Sequence, residues 1–106
     1  AVDDAFPVVE GHTLIIPKSH LVDYFELGQS HINACTRLLH ELKDEIQRRD
    51  AEVQGFNIGI NNGEVSGQTI FHCHIHLLPR RKGDVENPRG GIRHMIPGQG
   101  DYRARA

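Results

Sequence analysis

Polar and apolar residues alternate one for one over residues 72–77, where three histidines are interleaved with Cys73, Ile75 and Leu77. Because successive side chains of a β-strand point to opposite faces, this pattern predicts a strand with three imidazoles on one face and three apolar groups on the other. A helix would spread the same side chains around its circumference and lose this separation. Proline cannot donate to a central ladder, so we expect the strand to end close to Pro79.

A second alternating run occupies residues 55–61. Its phenylalanine and two isoleucines would share one face, and Asn57, Gly59 and Asn61 would share the other. The Gly-rich residues 62–68 connect this run to the histidine strand, which predicts an antiparallel hairpin. The polar face of the hairpin would then carry Asn57 and Asn61 beside the histidines.

A long amphipathic helix is predicted from residue 30 onward, with Ser30 as its N-cap. Apolar residues recur there in steps of three and four, at Ile32, Cys35, Leu38, Leu39, Leu42 and Ile46. The other side of the helix would be charged, through Arg37, Glu41, Asp44, Glu45 and Arg48. Upstream, residues 1–16 predict strand, turn and strand, and residues 21–27 predict a short helix.

Together these elements predict an α+β fold. An antiparallel sheet of about five strands would have the long helix packed on one face and the candidate site on the other. Residues 1–81 would form this domain. Residues 82–106 are rich in Arg, Gly and Pro, and would form an extended tail that packs on the domain or on a dimer partner.

Length and charge narrow the function classes. The 106 residues predict one domain, and a net charge of −2 argues against nucleic-acid binding. No apolar run approaches the ~18 residues of a membrane span, and no signal peptide is visible, so we expect a cytoplasmic protein that binds no membrane. Cys35 and Cys73 are expected to be free thiols. The sequence begins at Ala1 without a methionine, which is consistent either with a trimmed chain or with a missing front end.

Three explanations of the histidine face remain open from the residues alone. Ordinary solvated histidines are disfavoured by the strict alternation. A metal ion could use two of the histidines, but a strand separates residues i and i+4 by about 13 Å, so all three cannot reach one ion. A further ligand would have to come from His12, His20 or His94. The third explanation is covalent phosphate chemistry, in which a neutral imidazole attacks phosphorus. Residues 66–69 could offer backbone N–H groups to phosphate oxygens.

Two motifs resemble those of a known family. The stretch NNGEVSGQTIFHCHIHLLPR resembles the signature of the histidine triad (HIT) superfamily, in which His-x-His-x-His is followed by two apolar residues. Upstream, DDAFPVVEGHTLIIPKSH resembles the family's Asp-x-x-Pro segment followed by Gly-His-x-Leu-x-x-Pro-Lys-x-His. Together the motifs cover roughly residues 3 to 81, which makes the combination far more specific than the alternating histidines alone.

The resemblance implies a role for each histidine. His74 would be the nucleophile that attacks the α-phosphorus of a nucleotide, and His76 would contact the scissile phosphate and the leaving group. His72 would hydrogen-bond to His74 and orient it, with His12 as a supporting partner behind them. The resemblance also implies contacts to phosphate, ribose and base at Asp4, Phe6, Asn61, Gly67, Gln68 and Thr69.

The implied reaction has two steps, nucleotidylation of histidine and hydrolysis to a nucleoside monophosphate. It requires no cofactor and no protein-bound metal, although a divalent ion could accompany a polyphosphate substrate. Residues 78–84 resemble the fragile-histidine-triad branch, which cleaves dinucleoside polyphosphates, and the tail resembles bacterial HIT hydrolases. The alternatives are a Hint-like purine nucleoside phosphoramidase and a non-catalytic nucleotide-binding HIT protein. Members of the family are usually homodimers, so a second copy is the expected partner.

Overall fold

The computed structural model describes residues 1–105, in which four strands form one antiparallel sheet beside a single α-helix. The strands are β1 (Val2–Asp3), β2 (Thr13–Ile15), β3 (Val53–Gly59) and β4 (Ile75–Arg81), and the helix is α1 (Gln29–Arg49). The strand order is β1-β2-β4-β3, so β4 is central and β3 is an edge. The α+β class is confirmed, with four strands in place of about five.

The predicted hairpin is formed by β3 and β4. Ile58 pairs with Leu77, and Gly59 pairs with His76, in antiparallel register. On the other side of β4, Leu14 pairs with His76. This pairing places the third histidine at the centre of the sheet, between strands from both halves of the chain.

The sequence predicts that the strand ends close to Pro79. In the structure the strand ends at Arg81, two residues later, so Pro79 lies inside it. The reason lies in the pairing of β2, which covers β4 only from Ile75 to Leu77. At Pro79 the strand therefore has one ladder partner, Phe56, and a missing N–H is tolerated as it is at an edge. The other side is filled by Gly11, where an added Cβ would lie 3.1 Å from the proline ring.

The start of α1 also differs from the prediction. The helix begins at Gln29, and its N-cap is Gly28, which provides no side-chain cap. Ser30 lies inside the first turn instead. Gly28 already occupies the cap position, with an extended backbone and a carbonyl that accepts from Ile32 N–H at 3.1 Å. The short helix predicted at residues 21–27 is a 3₁₀ turn over Tyr24–Glu26.

The hydrophobic core lies between α1 and one face of the sheet. One cluster joins Ile15, Cys35 and Ile75, and a second joins Ile46, Val53 and Leu77. Leu39 and Leu42 of the helix pack against both clusters. The predicted apolar side of the helix is thus confirmed, and the predicted charged side is exposed. Because α1 covers this face, the opposite face is left for the histidines.

Both cysteines are buried and free, and burial raises the pKa of each thiol. Among the helices of residues 1–105, none combines the length and apolarity needed to cross a bilayer.

Replacement of Leu77, which is 1% exposed, should destabilise the fold strongly. We expect Leu77→Ala to lower the free energy of unfolding by about 3 kcal/mol, because the side chain is lost from a filled core between α1 and the sheet. The matched control is Val65→Ala, whose side chain is fully exposed and whose effect should stay within about 0.5 kcal/mol. Urea denaturation followed by circular dichroism measures both, and equal midpoints would contradict the assigned core.

Candidate active site

Of the three histidines, only His76 lies within β4, because the strand begins at Ile75. The prediction that one strand carries all three histidines is therefore wrong, because His72 and His74 precede the hydrogen-bonded strand. The predicted alternation of buried and less buried side chains is present. Cys73 and Ile75 are buried, whereas His72, His74 and His76 are half-buried. The ladder stops because β2 ends at the partner of Ile75 and β3 ends at the partner of His76.

A neighbouring loop, residues 17–24, holds the two histidines that precede the strand. His72 Nε2 donates to the Pro17 carbonyl at 2.8 Å, and the Cys73 N–H donates to the Leu21 carbonyl at 2.6 Å. The amide of Gln68 donates to the Val22 carbonyl at 2.6 Å. These bonds tie residues 68–73 to the loop that precedes α1.

The contact of His74 fixes which of its nitrogens is free to react. Its Nδ1 lies 2.8 Å from the carbonyl oxygen of His72. Because a carbonyl can only accept, Nδ1 must carry the proton, and in the neutral ring Nε2 then holds a lone pair. His72 thus orients His74 through its backbone, while its own ring faces His20 with the Nδ1 atoms 3.3 Å apart.

His76 has the opposite proton arrangement. The Val8 N–H donates to His12 Nδ1 at 3.2 Å, so the proton of the neutral His12 ring lies on Nε2. That Nε2 is 2.9 Å from His76 Nδ1, which accepts, so the proton of His76 lies on its own Nε2. The rings of His74 and His76 are 5.1 Å apart. Neighbouring imidazoles therefore offer a nucleophilic lone pair and an N–H donor.

His12 supports His76 rather than the pair that precedes it. It is 4% exposed, and its ring lies 5.1 Å from that of His76. Burial lowers the pKa of His76, the nearby His74 and His12 rings lower it further, and Asp4 opposes them. His76 is therefore held neutral, as a hydrogen-bond donor without a charge.

Asp4 completes a cluster with His12 and His76 whose ligand atoms all lie within 4.8 Å of one another. Its Oδ2 is 3.3 Å from His12 Nε2, close to the ~3.4 Å between tetrahedral ligands of zinc. The residue types and spacings therefore fit a divalent ion. Binding through His12 Nε2 would move the ring proton to Nδ1, against the Val8 N–H, so the Val8 hydrogen bond would have to break.

The remaining sequence-predicted residues are only partly brought together. Asn61 is half-buried and lines a cavity with His12 and His76. Gln68 is 2% exposed and spends its amide on backbone groups of its own loop and of Val22, so it faces the fold and not the cavity. The other predicted binding residues, Phe6, Gly67 and Thr69, are exposed and do not line the cavity.

The cavity beside His76 has a volume of about 470 Å³ and is closed partly by the tail. Its floor includes residues 57–61 of the β3 segment and Leu78, and its far wall is formed by Ile92, His94 and Met95. The sequence interpretation missed this wall. The available signal was a step of three between Ile92 and Met95, which in a tail of mixed composition is too short to predict a site.

The arginines near the site are already occupied. Arg80 donates to both carboxylate oxygens of Asp84 and to Asn57, and Arg81 donates to Asp50. These arginines lower the pKa of both carboxyls. Arg80 and Arg81 therefore connect the end of β4 to neighbouring loops through ion pairs, and these pairs neutralise their charges.

Comparisons with known proteins agree with this geometry. A family model described as HIT domain matches residues 1–83. An uncharacterized 16.1 kDa HIT-like protein of Mycoplasma pneumoniae is 40% identical over 77 residues, which is 73% of this chain and 53% of that protein. The adenylylsulfatase HINT3 of Arabidopsis thaliana is 37% identical over 81 residues, which is 76% of this chain and 41% of that protein.

A similar fold is found among solved structures. The crystal structure of a Zn-bound histidine triad family protein from Mycobacterium smegmatis aligns with a TM-score of 0.70 and 35% identity, covering 77% of this chain and 59% of that one. The chain spans about half the length of the curated relatives it matches.

The lowered pKa of His76 predicts a pH-dependent stability. Its ordinary value is 6.5, so below that pH the unfolded chain binds a proton that the folded chain excludes. The contribution of neutral His76 is fully present above pH ~6.5 and is lost as the pH falls through the lower, folded pKa. Wild-type stability should therefore fall relative to His76→Asn over that window.

Urea denaturation of both proteins at several pH values measures this difference, and an NMR titration of His76 measures the pKa directly. Val65→Ala is the control, because its side chain is fully exposed and does not titrate, and it should follow the wild type. A His76 midpoint at or above 6.5 would contradict the assignment.

Proposed function

Because this chain belongs to the histidine triad (HIT) family, a superfamily of nucleotide hydrolases and transferases, we propose that it cleaves a dinucleoside polyphosphate at the α-phosphate and releases a nucleoside monophosphate. The observation that carries the proposal is the opposite proton arrangement of His74 and His76. One ring presents a lone pair and its neighbour presents an N–H donor, as a nucleotidyl transfer to histidine requires.

In the first step, the lone pair of His74 Nε2 attacks the α-phosphorus and forms a P–N bond. The bond from phosphorus to the bridging oxygen breaks, and the electron pair leaves with the departing polyphosphate. His74 becomes a cation whose Nδ1–H still donates to the His72 carbonyl, which stabilises the positive charge. His76 Nε2–H donates a hydrogen bond to the oxygen on which charge develops.

In the second step, water attacks the same phosphorus and the P–N bond breaks. The electron pair returns to His74 Nε2, the nucleoside monophosphate is released, and the proton lost by the water goes to the solvent. Both steps balance without a redox partner or a cofactor.

The state of His76 favours a phosphoanhydride over a phosphoramidate substrate. A polyphosphate leaves as a stable anion and needs only a hydrogen bond, whereas an amine must be protonated as it leaves. A neutral His76 with a lowered pKa is suited to the first task and not to the second. The Arabidopsis relative that is an adenylylsulfatase fits the same rule, because sulfate also leaves as an anion.

The nucleophile is tested by His74→Asn with diadenosine tetraphosphate as substrate. The asparagine amide can still donate to the His72 carbonyl, but it has no lone pair that can attack phosphorus. We expect turnover to fall by about 10⁴-fold or more while AMP binding persists, measured by chromatography of released AMP and by calorimetry. Glu41→Gln, at an exposed position of α1 that lines neither cavity, should keep wild-type turnover, and EDTA should leave turnover unchanged. Retained turnover in His74→Asn would sink the covalent mechanism, and AMP binding without any wild-type turnover would favour the non-catalytic alternative.

We also propose that the chain forms a homodimer in the cytoplasm. The edge strand β3 has unpaired backbone groups, and a shallow apolar groove of about 190 Å³ runs beside it, lined by Leu39, Phe56 and Leu77. Free, buried thiols suit a reducing compartment. Sedimentation equilibrium should give the mass of two chains, because pairing would cover this edge, and a single-chain mass at about 100 μM would contradict the dimer.

A further inference from the structure

The cavity beside His76 has two different walls, one from the catalytic sheet and one from the tail. The tail wall is a 3₁₀ turn over Gly91–Met95, whose Ile92 and Met95 line the cavity together with Ile60 and Leu78. Nothing in the two-step reaction described above uses this wall.

The tail wall is a fixed structure. Arg93 Nε lies 3.1 Å from the Gln99 carbonyl and 3.2 Å from that of Gly100, and His94 Nε2 donates to the Arg89 carbonyl at 2.9 Å. Gly90 has a φ of +93°, and a Cβ built there would overlap the Gly100 carbonyl oxygen. These contacts close residues 90–100 into a compact loop, so the two apolar side chains are held at the cavity.

The position of the cavity along β4 indicates which part of a substrate it receives. His76, Leu78 and Arg80 share one face of β4, and His74 precedes them with its ring 5.1 Å from that of His76. The cavity is lined by the three residues of β4 and not by His74. In an in-line displacement the leaving group departs from phosphorus on the side opposite the nucleophile. A phosphorus held between His74 and His76 therefore directs its leaving group over Leu78.

The chemistry of the cavity suits an apolar, planar group. Ile92 is 53% exposed and Met95 is 63% exposed, so both present apolar area that a ligand could cover. Arg80, the cation at the far end, is already neutralised by Asp84, which disfavours a phosphate at that point. Asn57 and Asn61 supply polar groups at the rim, and the volume lies within the ~300–1,000 Å³ of ligand sites.

We propose that this cavity is a leaving-group subsite, in which Ile92 and Met95 bind the base of the second nucleoside of a dinucleoside polyphosphate. The inference rests on the proposed function and deepens it, since it assigns the tail a part in substrate selection. A substrate whose leaving group lacks a base, such as adenylyl sulfate, would gain nothing from the tail wall.

Binding in the His74→Asn background tests the subsite without any need for turnover. Calorimetry would compare diadenosine tetraphosphate with AMP, in this background and with Ile92→Ala and Met95→Ala added together. We expect the added substitutions to weaken dinucleotide binding by about tenfold, because apolar contact with the base is lost, and to leave AMP binding within about twofold. Retained AMP binding also shows that the variant is folded. Ile96→Ala is the matched control, since Ile96 is equally exposed in the same tail but does not line the cavity.

Two outcomes would overturn the subsite. An equal loss for AMP and dinucleotide would show that the cavity holds the retained nucleoside, and no loss for either would show that the tail wall binds no part of the substrate. In the His74-containing protein, the ratio of kcat/KM for diadenosine tetraphosphate to that for adenylyl sulfate should fall about tenfold with the double substitution. If that protein cleaves neither compound, the proposed function fails, and the binding comparison still decides the subsite.

Discussion

The arrangement of the site depends on the hydrogen bond between His12 Nε2 and His76 Nδ1. It joins β2 to β4 on the face that α1 does not cover, at a point where Thr13 pairs with Leu77. His12 lies one residue beyond that pair, so it is a diagonal neighbour of His76, within the reach of two imidazoles. The bond also sets the proton position in both rings. If the proton of His12 lay on Nδ1 instead, His12 Nε2 would accept a hydrogen bond from His76 Nδ1–H. His76 Nε2 would then carry a lone pair, and the site would have two acceptors in place of an acceptor and a donor.

The covered face of the sheet makes this hydrogen bond possible. Ile75 and Leu77 pack against α1, so the side chain of His76 between them points to the opposite face of the sheet. Burial on the other side of the strand thus orients His76, and partial burial on its own side keeps it neutral. Packing and proton chemistry are here two consequences of one alternating pattern.

Periodicity in the sequence correctly predicted which side chains around β4 are buried, but it did not predict where the hydrogen-bonded strand begins and ends. The alternation of burial over residues 72–77 continues ahead of the strand, where His72 and Cys73 are hydrogen-bonded to the Pro17 and Leu21 carbonyls. The prediction at Pro79 failed because a proline is tolerated in β4 only beyond the end of β2, and the length of β2 is set by residues far away in the sequence. Ser30 misled it because Gly28 had already turned the chain. The tail wall could not be predicted at all, since it depends on the approach of Gly90 to Gly100 and of Gly91 to Asn57 of β3.

The neutral state of His76 follows from the balance of the groups around its ring. A site that protonates an amine needs an imidazolium, and therefore a nearby carboxylate strong enough to hold the proton on His76. Asp4 lies within 4.8 Å of both histidines and raises the pKa of His76, but its closest contact is with His12 Nε2. Burial and two adjacent imidazoles outweigh it, and the pKa of His76 moves downward. The balance between one carboxylate and two imidazoles therefore leaves His76 as a neutral donor, and in the proposed reaction such a donor suits a leaving group that departs as an anion.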